Sequence, residues 1–205
     1  MVIFFSILIG YLLGSVNFSY LIGKIYKKVD IRKYGSGNAG ATNTLRVLGK
    51  GPAIIVLILD ILKGVAAVLI SHGIGGEAWV PFLAGLFAVI GHNWPVFFGF
   101  RGGKGIATTI GVLFTLVPIP SLLAGVIAIL LILITRYVSL GSLVYTGLTP
   151  FFILLIGNHP ISFFYIALVI TILSLWRHRT NLKKLVQGKE SKIGEKHGIE
   201  DVNNS

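Results

Sequence analysis

Long apolar runs separated by short polar connections take up most of the chain. They fall at residues 2–23, 52–70, 79–90, 105–118, 121–135, 141–157 and 161–176. A helix needs about 20 mostly apolar residues to cross a bilayer, so the pattern predicts membrane spans rather than a soluble core. The third and fourth runs are short for a full crossing and are expected to extend into their flanks or to tilt. The first is too long and too poor in N-terminal charge for a signal peptide, and it lacks a persuasive cleavage site. The expectation is one all-α integral membrane domain over residues 1–192, a bundle of seven transmembrane helices, followed by a solvated, disordered tail over 193–205.

Composition supports this and adds an orientation. The chain has 205 residues, 54% hydrophobic and 12% charged, with a mean hydropathy of +0.86. A soluble domain carries about twice that share of charge. There is no cysteine, so disulfide and thiolate chemistry are excluded. A net charge of +11 would suggest nucleic acid as the partner of a soluble protein. Here its distribution says otherwise. Lysines and arginines gather after span one (Lys24 to Lys50), between spans three and four (Arg101, Lys104), after span five (Arg136) and after span seven (Arg177 to Lys196). The alternate connections 71–78, 118–120 and 158–160 contain none. Basic loops stay cytoplasmic, which places the N-terminus outside and the C-terminus inside. The charge is then mostly a topology signal, with added attraction to anionic membrane lipid. No nucleic acid and no obligate protein partner is indicated.

The unusual polar sequence thereby falls on one face. Residues 35–46, "GSGNAGATNTLR", include a literal G-x-G-x-x-G. That motif signals a dinucleotide only between a parallel strand and a helix, and no such unit surrounds it. Its physics survives: glycines let backbone N–H groups converge on an anion, Ser36, Asn38, Thr42 and Asn43 add polar partners, and Arg46 can grip a phosphate bidentately. A flexible turn would explain the glycines but not their coincidence with amides and an arginine.

Residues 91–108, "GHNWPVFFGFRGGKGIAT", fail the P-loop pattern, with Phe98 where a glycine is required and Gly105 where Ser or Thr is required. Gly102, Gly103 and Gly105 around Lys104 still allow close backbone approach and a point charge at a helix start. The aromatic, proline-broken stretch before them reads as a short interfacial or re-entrant element. In "RHRTNLKKLVQGKE" (177–190), a polybasic lipid-binding segment accounts for the cations. His178 and Asn181, three apart, share a face if the helix continues. Ser139 and Ser142 reach the same side, although a helix cap would also use Ser142. Asp60 and Lys63 lie inside span two, where each costs about 2.5–3.5 kcal/mol on insertion scales. They read as an ion pair facing the bundle.

Taken together, "GSVNFSYLIGK", "SGNAGATNTLR", "DILKG", "GHNWPVFFGFRGGKGIAT" and "HRTNLKKLVQGKE", in this order, resemble the bacterial membrane glycerol-3-phosphate acyltransferases of the PlsY type, which use acyl-phosphate. The resemblance spans nearly the whole chain. It implies a bacterial inner-membrane enzyme with its site facing the cytoplasm. Such an enzyme passes a fatty acyl group from acyl-phosphate to the sn-1 hydroxyl of glycerol 3-phosphate, giving lysophosphatidic acid and phosphate. It marks Gly102, Gly103, Lys104 and Gly105 as glycerol-phosphate contacts, with Arg46, Ser142, His178 and Asn181 as partners. Ser36, Asn38, Gly40 and Asn43 would cradle the acyl-phosphate head. No feature demands a metal, ATP, another cofactor or an acyl-carrier protein. The His-x-x-x-x-Asp motif of the other large acyltransferase class is missing, the nearest run being His72 to Glu77. The general base stays open between His178, which titrates in the right range, and a substrate phosphate, which titrates near pH 6; His92 and the carboxylates Asp30, Glu190, Glu195, Glu200 and Asp201 are further candidates. A carrier for a phosphorylated solute is the alternative from another class.

Overall fold

The computed structural model describes residues 1–195, and those residues form ten α-helices and two single 3₁₀ turns with no strand among them. The first apolar run is broken. Helix α1 (Val2–Gly14) stops at Ser15 and α2 (Phe18–Lys27) starts anew. Asn17 caps α2, its side-chain oxygen accepting from the Tyr20 N–H at 3.0 Å. The break leaves the Val16 carbonyl without a helical partner, and Lys63 Nζ donates to it at 2.8 Å. A break inside a span survives only when its freed backbone groups find such partners.

After a turn at Ile31–Lys33 come the short α3 (Ala41–Leu48) and the long α4 (Lys50–Ile74). Then follow α5 (Val80–Asn93), a turn at Val96–Phe98, α6 (Ile106–Leu116), α7 (Pro118–Thr135), α8 (Val138–Ile156), α9 (Ile161–Arg177) and α10 (Arg179–Val186). Five stretches are long and apolar enough to cross a membrane: Val2–Lys27, Lys50–Ile74, Val80–Phe98, Pro118–Thr135 and Val138–Ile156. The α9–α10 pair, bent by 61° at His178, makes a sixth if counted as one. Helix α6 has 11 residues, roughly 16 Å at the α-helical rise. It is shorter than a bilayer core, and the seven full crossings expected from the sequence are not all of spanning length.

What holds α6 in place is a core of Val68, Phe82, Leu86, Val112 and Leu113 shared by α4, α5 and α6, continued by Val117 at the α6–α7 junction and by Ala124, Ala128, Tyr145 and Ile170 of α7, α8 and α9. Outside this core, Ile54, Leu62, Leu69, Leu130, Leu133, Phe151 and Ile172 are exposed, the arrangement of a bundle whose outer solvent is lipid. Between α1 and α5 the backbones nearly touch. Gly10 and Gly14 form a small-xxx-small pair, and a Cβ on Gly14 would run into the carbonyl of Ala88. Gly14→Val is therefore expected to cost at least the upper end of the ~1–3 kcal/mol typical of overpacking, because backbone, unlike a side chain, cannot swing aside. Thermal unfolding of the detergent-solubilised protein measures it.

The polar connections meet at one end of the bundle. Arg32, paired with Asp30 at 2.9 Å, donates to the Phe98 carbonyl at 2.7 Å. Arg177 donates to Gly103 O at 2.6 Å and lies over the Trp94 ring. The expected re-entrant element is one turn closing this end of α5, with Phe97 and Phe100 exposed. Ile193, which falls in the tail expected from residue 193, exchanges hydrogen bonds with Arg136, N–H to carbonyl at 2.8 Å and Nη2 to carbonyl at 3.0 Å. Residues 196–205 of that tail lie outside the described residues.

Candidate active site

A cavity of about 420 Å³ opens at this polar end. Its mouth is lined by Ser36, Asn38, Gly40, Asn43, Arg46, Lys104, Gly105, Ser142, His178 and Asn181, so residues from four distant segments converge. The N-terminal turns of α3 and α6 both face it through Ala41, Thr42, Ile106 and Ala107. Neither helix has a side-chain cap. The first N–H groups of a helix lack partners and attract anions, so two positive helix ends add to Arg46 and Lys104. Deeper in, Leu57, Ile110, Phe114, Leu122, Val126 and Ile129 form an apolar groove between α4, α6 and α7. Leu57, Phe114, Leu122, Val126 and Ile129 are also exposed on the outer surface, so the groove opens sideways.

Lys104 is held by a chain of hydrogen bonds. Its Nζ donates to Asn181 Oδ1, Asn181 Nδ2 donates to Glu190 Oε1 at 2.7 Å, and Ser139 Oγ donates to the same oxygen at 2.8 Å. An ammonium can only donate and a carboxylate only accept, which fixes the orientation of the Asn181 amide. Burial pulls the Lys104 ammonium down to about 8, against the opposing pull of Glu190. A half-buried lysine that still has donors to give is suited to an incoming phosphate. His178, at the bend, donates from Nδ1 to the Ser174 carbonyl at 2.9 Å. Its Nε2 is then the acceptor nitrogen. Burial and the nearby Lys104 push this imidazole down to about 4, so it is neutral at physiological pH. The helix bends by 61° at His178 instead of continuing straight, and the bend brings His178 and Asn181 to the same cavity.

Three of the expected site residues are engaged within the protein itself. Asn43 lines the cavity, but its amide is committed elsewhere. Oδ1 accepts from Ser36 N–H at 2.8 Å and from Ser36 Oγ at 3.1 Å, while Nδ2 donates to Ile31 O and Tyr34 O, both at 3.1 Å. Those four bonds use the full hydrogen-bonding capacity of an asparagine, so Asn43 braces the glycine loop at the cavity wall. Gly102 and Gly103 stand behind the lining. Their carbonyls accept from Arg177, and the Gly103 N–H donates to His92 O at 3.1 Å. A side chain at Gly103 would collide with His92 and the Ala39 carbonyl, so glycine there serves close packing of two loops.

In the sequence Arg177 reads as one more cation of a basic tail, and nothing local distinguishes it from Arg179. Its role rests on a loop 74 residues away. Asp60 and Lys63 do pair, at 2.8 Å and fully buried. The third member of their cluster, His92, comes from α5, with Nδ1 2.9 Å from Lys63 Nζ. Helical spacing found the first two and could not find the third. Asp60 and His92 both reach the cavity lining.

A bundle of apolar helices with a cationic pocket at one end, continuous with a groove open at its side, defines an integral membrane protein built to bring an anionic headgroup beside an apolar chain. A family profile for glycerol-3-phosphate acyltransferase matches residues 4–188, and the chain belongs to that family. It is 58% identical over 197 residues to the glycerol-3-phosphate acyltransferase of Shouchella clausii (strain KSM-K16), covering 94% of this chain and 96% of the relative. It is 57% identical over 192 residues to that of Halalkalibacterium halodurans, covering 91% and 93%. Among solved structures it resembles PlsY, an integral membrane glycerol 3-phosphate acyltransferase, in its glycerol 3-phosphate form, with a TM-score of 0.88, 42% identity, and 94% and 96% of the two chains covered. The lysophosphatidic acid form of PlsY superposes with a TM-score of 0.85 at 41% identity. Family membership removes the ground for the solute-carrier alternative.

Proposed function

We propose that the protein transfers an acyl group from acyl-phosphate to the sn-1 hydroxyl of glycerol 3-phosphate, releasing lysophosphatidic acid and phosphate on the cytoplasmic side of a bacterial inner membrane. The observation that carries this reading is the continuity of the cavity, cationic at its mouth and apolar and side-open along α6 and α7. An acyl-phosphate has the same two halves. Its chain would enter the groove from lipid, and its head would reach Ser36, Asn38 and the N-terminus of α3. Glycerol 3-phosphate would enter from water, its phosphate against Lys104, Gly105 and Arg46 and its glycerol near Ser142, His178 and Asn181. The basic connections favour seven crossings with the N-terminus outside, the short α6 being one of them.

The acyl donor is already activated, so positioning and charge stabilisation supply most of the rate. The glycerol oxygen bonds to the carbonyl carbon, the carbon–oxygen bond to phosphate breaks, and the hydroxyl proton leaves to a base. His178 Nε2 can accept a hydrogen bond from that hydroxyl and orient it. With its imidazole near 4 it is a poor proton acceptor, which favours a substrate phosphate as the base. A rising limb of kcat/KM near pH 6 should then belong to glycerol 3-phosphate. His178→Gln is expected to lower the profile without moving that limb, and a limb that disappears in the variant would return the base role to His178.

The direct test supplies purified protein with acyl-phosphate and glycerol 3-phosphate and follows both products. Equal amounts of phosphate and lysophosphatidic acid are expected, with acyl-CoA inert. Turnover from acyl-CoA alone would overturn the donor.

A further inference from the structure

The buried cluster of Lys63, Asp60 and His92 has a geometry that an ion pair holding two helices together does not need. Lys63 Nζ is hydrogen-bonded to the Val16 carbonyl at 2.8 Å and to His92 Nδ1 at 2.9 Å, and forms an ion pair with Asp60 Oδ1 at 2.8 Å. An ammonium has three protons and no lone pair, so His92 Nδ1 must accept. Asp60 Oδ1 lies farther from Nδ1, at 3.5 Å. The ring is then neutral with its proton on Nε2, and the other edge of the imidazole becomes a donor.

That edge stands where the two glycine segments meet. A Cβ on Gly103 would strike both His92 Nε2 and the Ala39 carbonyl, so Gly103 is wedged between the imidazole and the loop that carries Ala39. Asp60 and Leu57, three apart on α4, both line the cavity, the one polar and the other part of the apolar groove. The cluster therefore marks the boundary between the polar mouth and the apolar groove. In an acyl-phosphate the carbonyl is the atom group that joins chain to phosphate, and it must lie at that boundary. A bare carboxylate there would repel an oxygen gaining negative charge; Lys63 neutralises it.

We propose that His92 donates from Nε2–H to the carbonyl oxygen of the acyl donor, and that Lys63, supported by Asp60, is the positioning residue that fixes this tautomer. The proposal rests on the acyl-phosphate reading above. As the glycerol oxygen adds to the carbonyl carbon, the carbonyl oxygen takes up the negative charge and the Nε2–H bond to it strengthens. When the bond to phosphate breaks, the charge leaves with the phosphate and His92 keeps its proton throughout. Removing one donor of this kind lowers kcat by about 10²–10³-fold in other acyl transfers.

The test compares wild type, His92→Gln and His92→Asn in detergent, with thermal unfolding measured alongside. A glutamine amide can stand near the Nε2 position and donate, whereas an asparagine amide stands near Nδ1. His92→Asn is expected to lose about 10²-fold in kcat, and His92→Gln to recover most of it, with KM for glycerol 3-phosphate unchanged in both. Equal losses in the two, or full activity in His92→Asn, would overturn the assignment. The wild-type protein provides a measurement that no unfolding can confuse. Nitrogen NMR of ¹⁵N-histidine-labelled protein should show Nε2 protonated and Nδ1 bare, with the Nε2 signal moving when a non-hydrolysable acyl-phosphate analogue is added. The opposite tautomer, or an Nε2 signal indifferent to the analogue, contradicts the proposal. In Asp60→Asn/Lys63→Met the tautomer should become mixed and kcat should fall; an unchanged tautomer with full kcat removes Lys63 from its role. A wild type inert toward acyl-phosphate would instead sink the functional reading, and turnover is measured first for that reason.

Discussion

Lys104→Ala is expected to lower kcat/KM for glycerol 3-phosphate by about 10³-fold, the scale of losing a preorganised charged partner of a phosphate, while the melting temperature stays close to that of the wild type. Lys104 is only half-buried, and its one side-chain partner, Asn181, keeps Glu190 and can turn to water. Folding therefore loses little, whereas the cavity loses its central cation. The pH dependence gives the same residue a second signature. The cation is the form that holds a phosphate, and burial brings its proton loss down to about 8. kcat/KM, which reports the free enzyme, should thus fall as pH rises above about 8. The fall in kcat should come at higher pH, because bound phosphate stabilises the ammonium. Lys104→Arg stays charged at these values and should lack the alkaline fall, at reduced rate because a planar fork replaces a point charge. A wild-type profile flat from pH 7 to 10 would show that this ammonium does not bind the phosphate.

Asn43→Ala is the second large effect, and it is expected in folding before catalysis. The substitution strips partners from Ile31 O, Tyr34 O and the Ser36 N–H. At about 1–3 kcal/mol for each buried group left bare, the loss is roughly 3 kcal/mol or more. Asn43→Asp separates the roles. It keeps both acceptors for Ser36 but turns a carboxylate oxygen toward two carbonyls, so it should destabilise nearly as much. Thermal unfolding combined with proteolysis within residues 31–37 reads the outcome. A substrate ligand without a bracing role would behave differently, leaving Asn43→Asp fully stable and raising only KM.

These two residues also show what the chain discloses before it is folded. Lys104 could be found because its chemistry is local: three glycines, a lysine and a helix start occur in one short run. The apolar helices were equally legible, since a spanning helix satisfies its own backbone and needs only a long hydrophobic stretch. The break after Gly14 was not read. Its one sequence signal is Asn17, and what makes the break tolerable is Lys63, 47 residues on. The bracing bonds of Asn43 are not legible in sequence, because an amide that contacts a phosphate and one that braces a loop look alike there. Arg177 and His92 depend on partners from distant segments, a loop for the one and another helix for the other, and no spacing rule reaches them. The bend at His178 follows no proline or glycine; the side chain of His178 itself caps the Ser174 carbonyl where the helix turns.

One experiment asks whether a single cavity holds both the acyl chain and the phosphate. An acyl-phosphate analogue carrying a photoreactive diazirine in the middle of its chain is bound to the purified protein, illuminated, and the labelled residues are mapped by mass spectrometry. Labels are expected on α6 and α7, around Ile110, Phe114, Val126 and Ile129, and they should vanish when lysophosphatidic acid is present in excess. Arg46→Ala should weaken labelling at the same residues without moving it elsewhere. Labels spread over the outer faces of α1 and α9, indifferent to lysophosphatidic acid, would contradict a shared cavity.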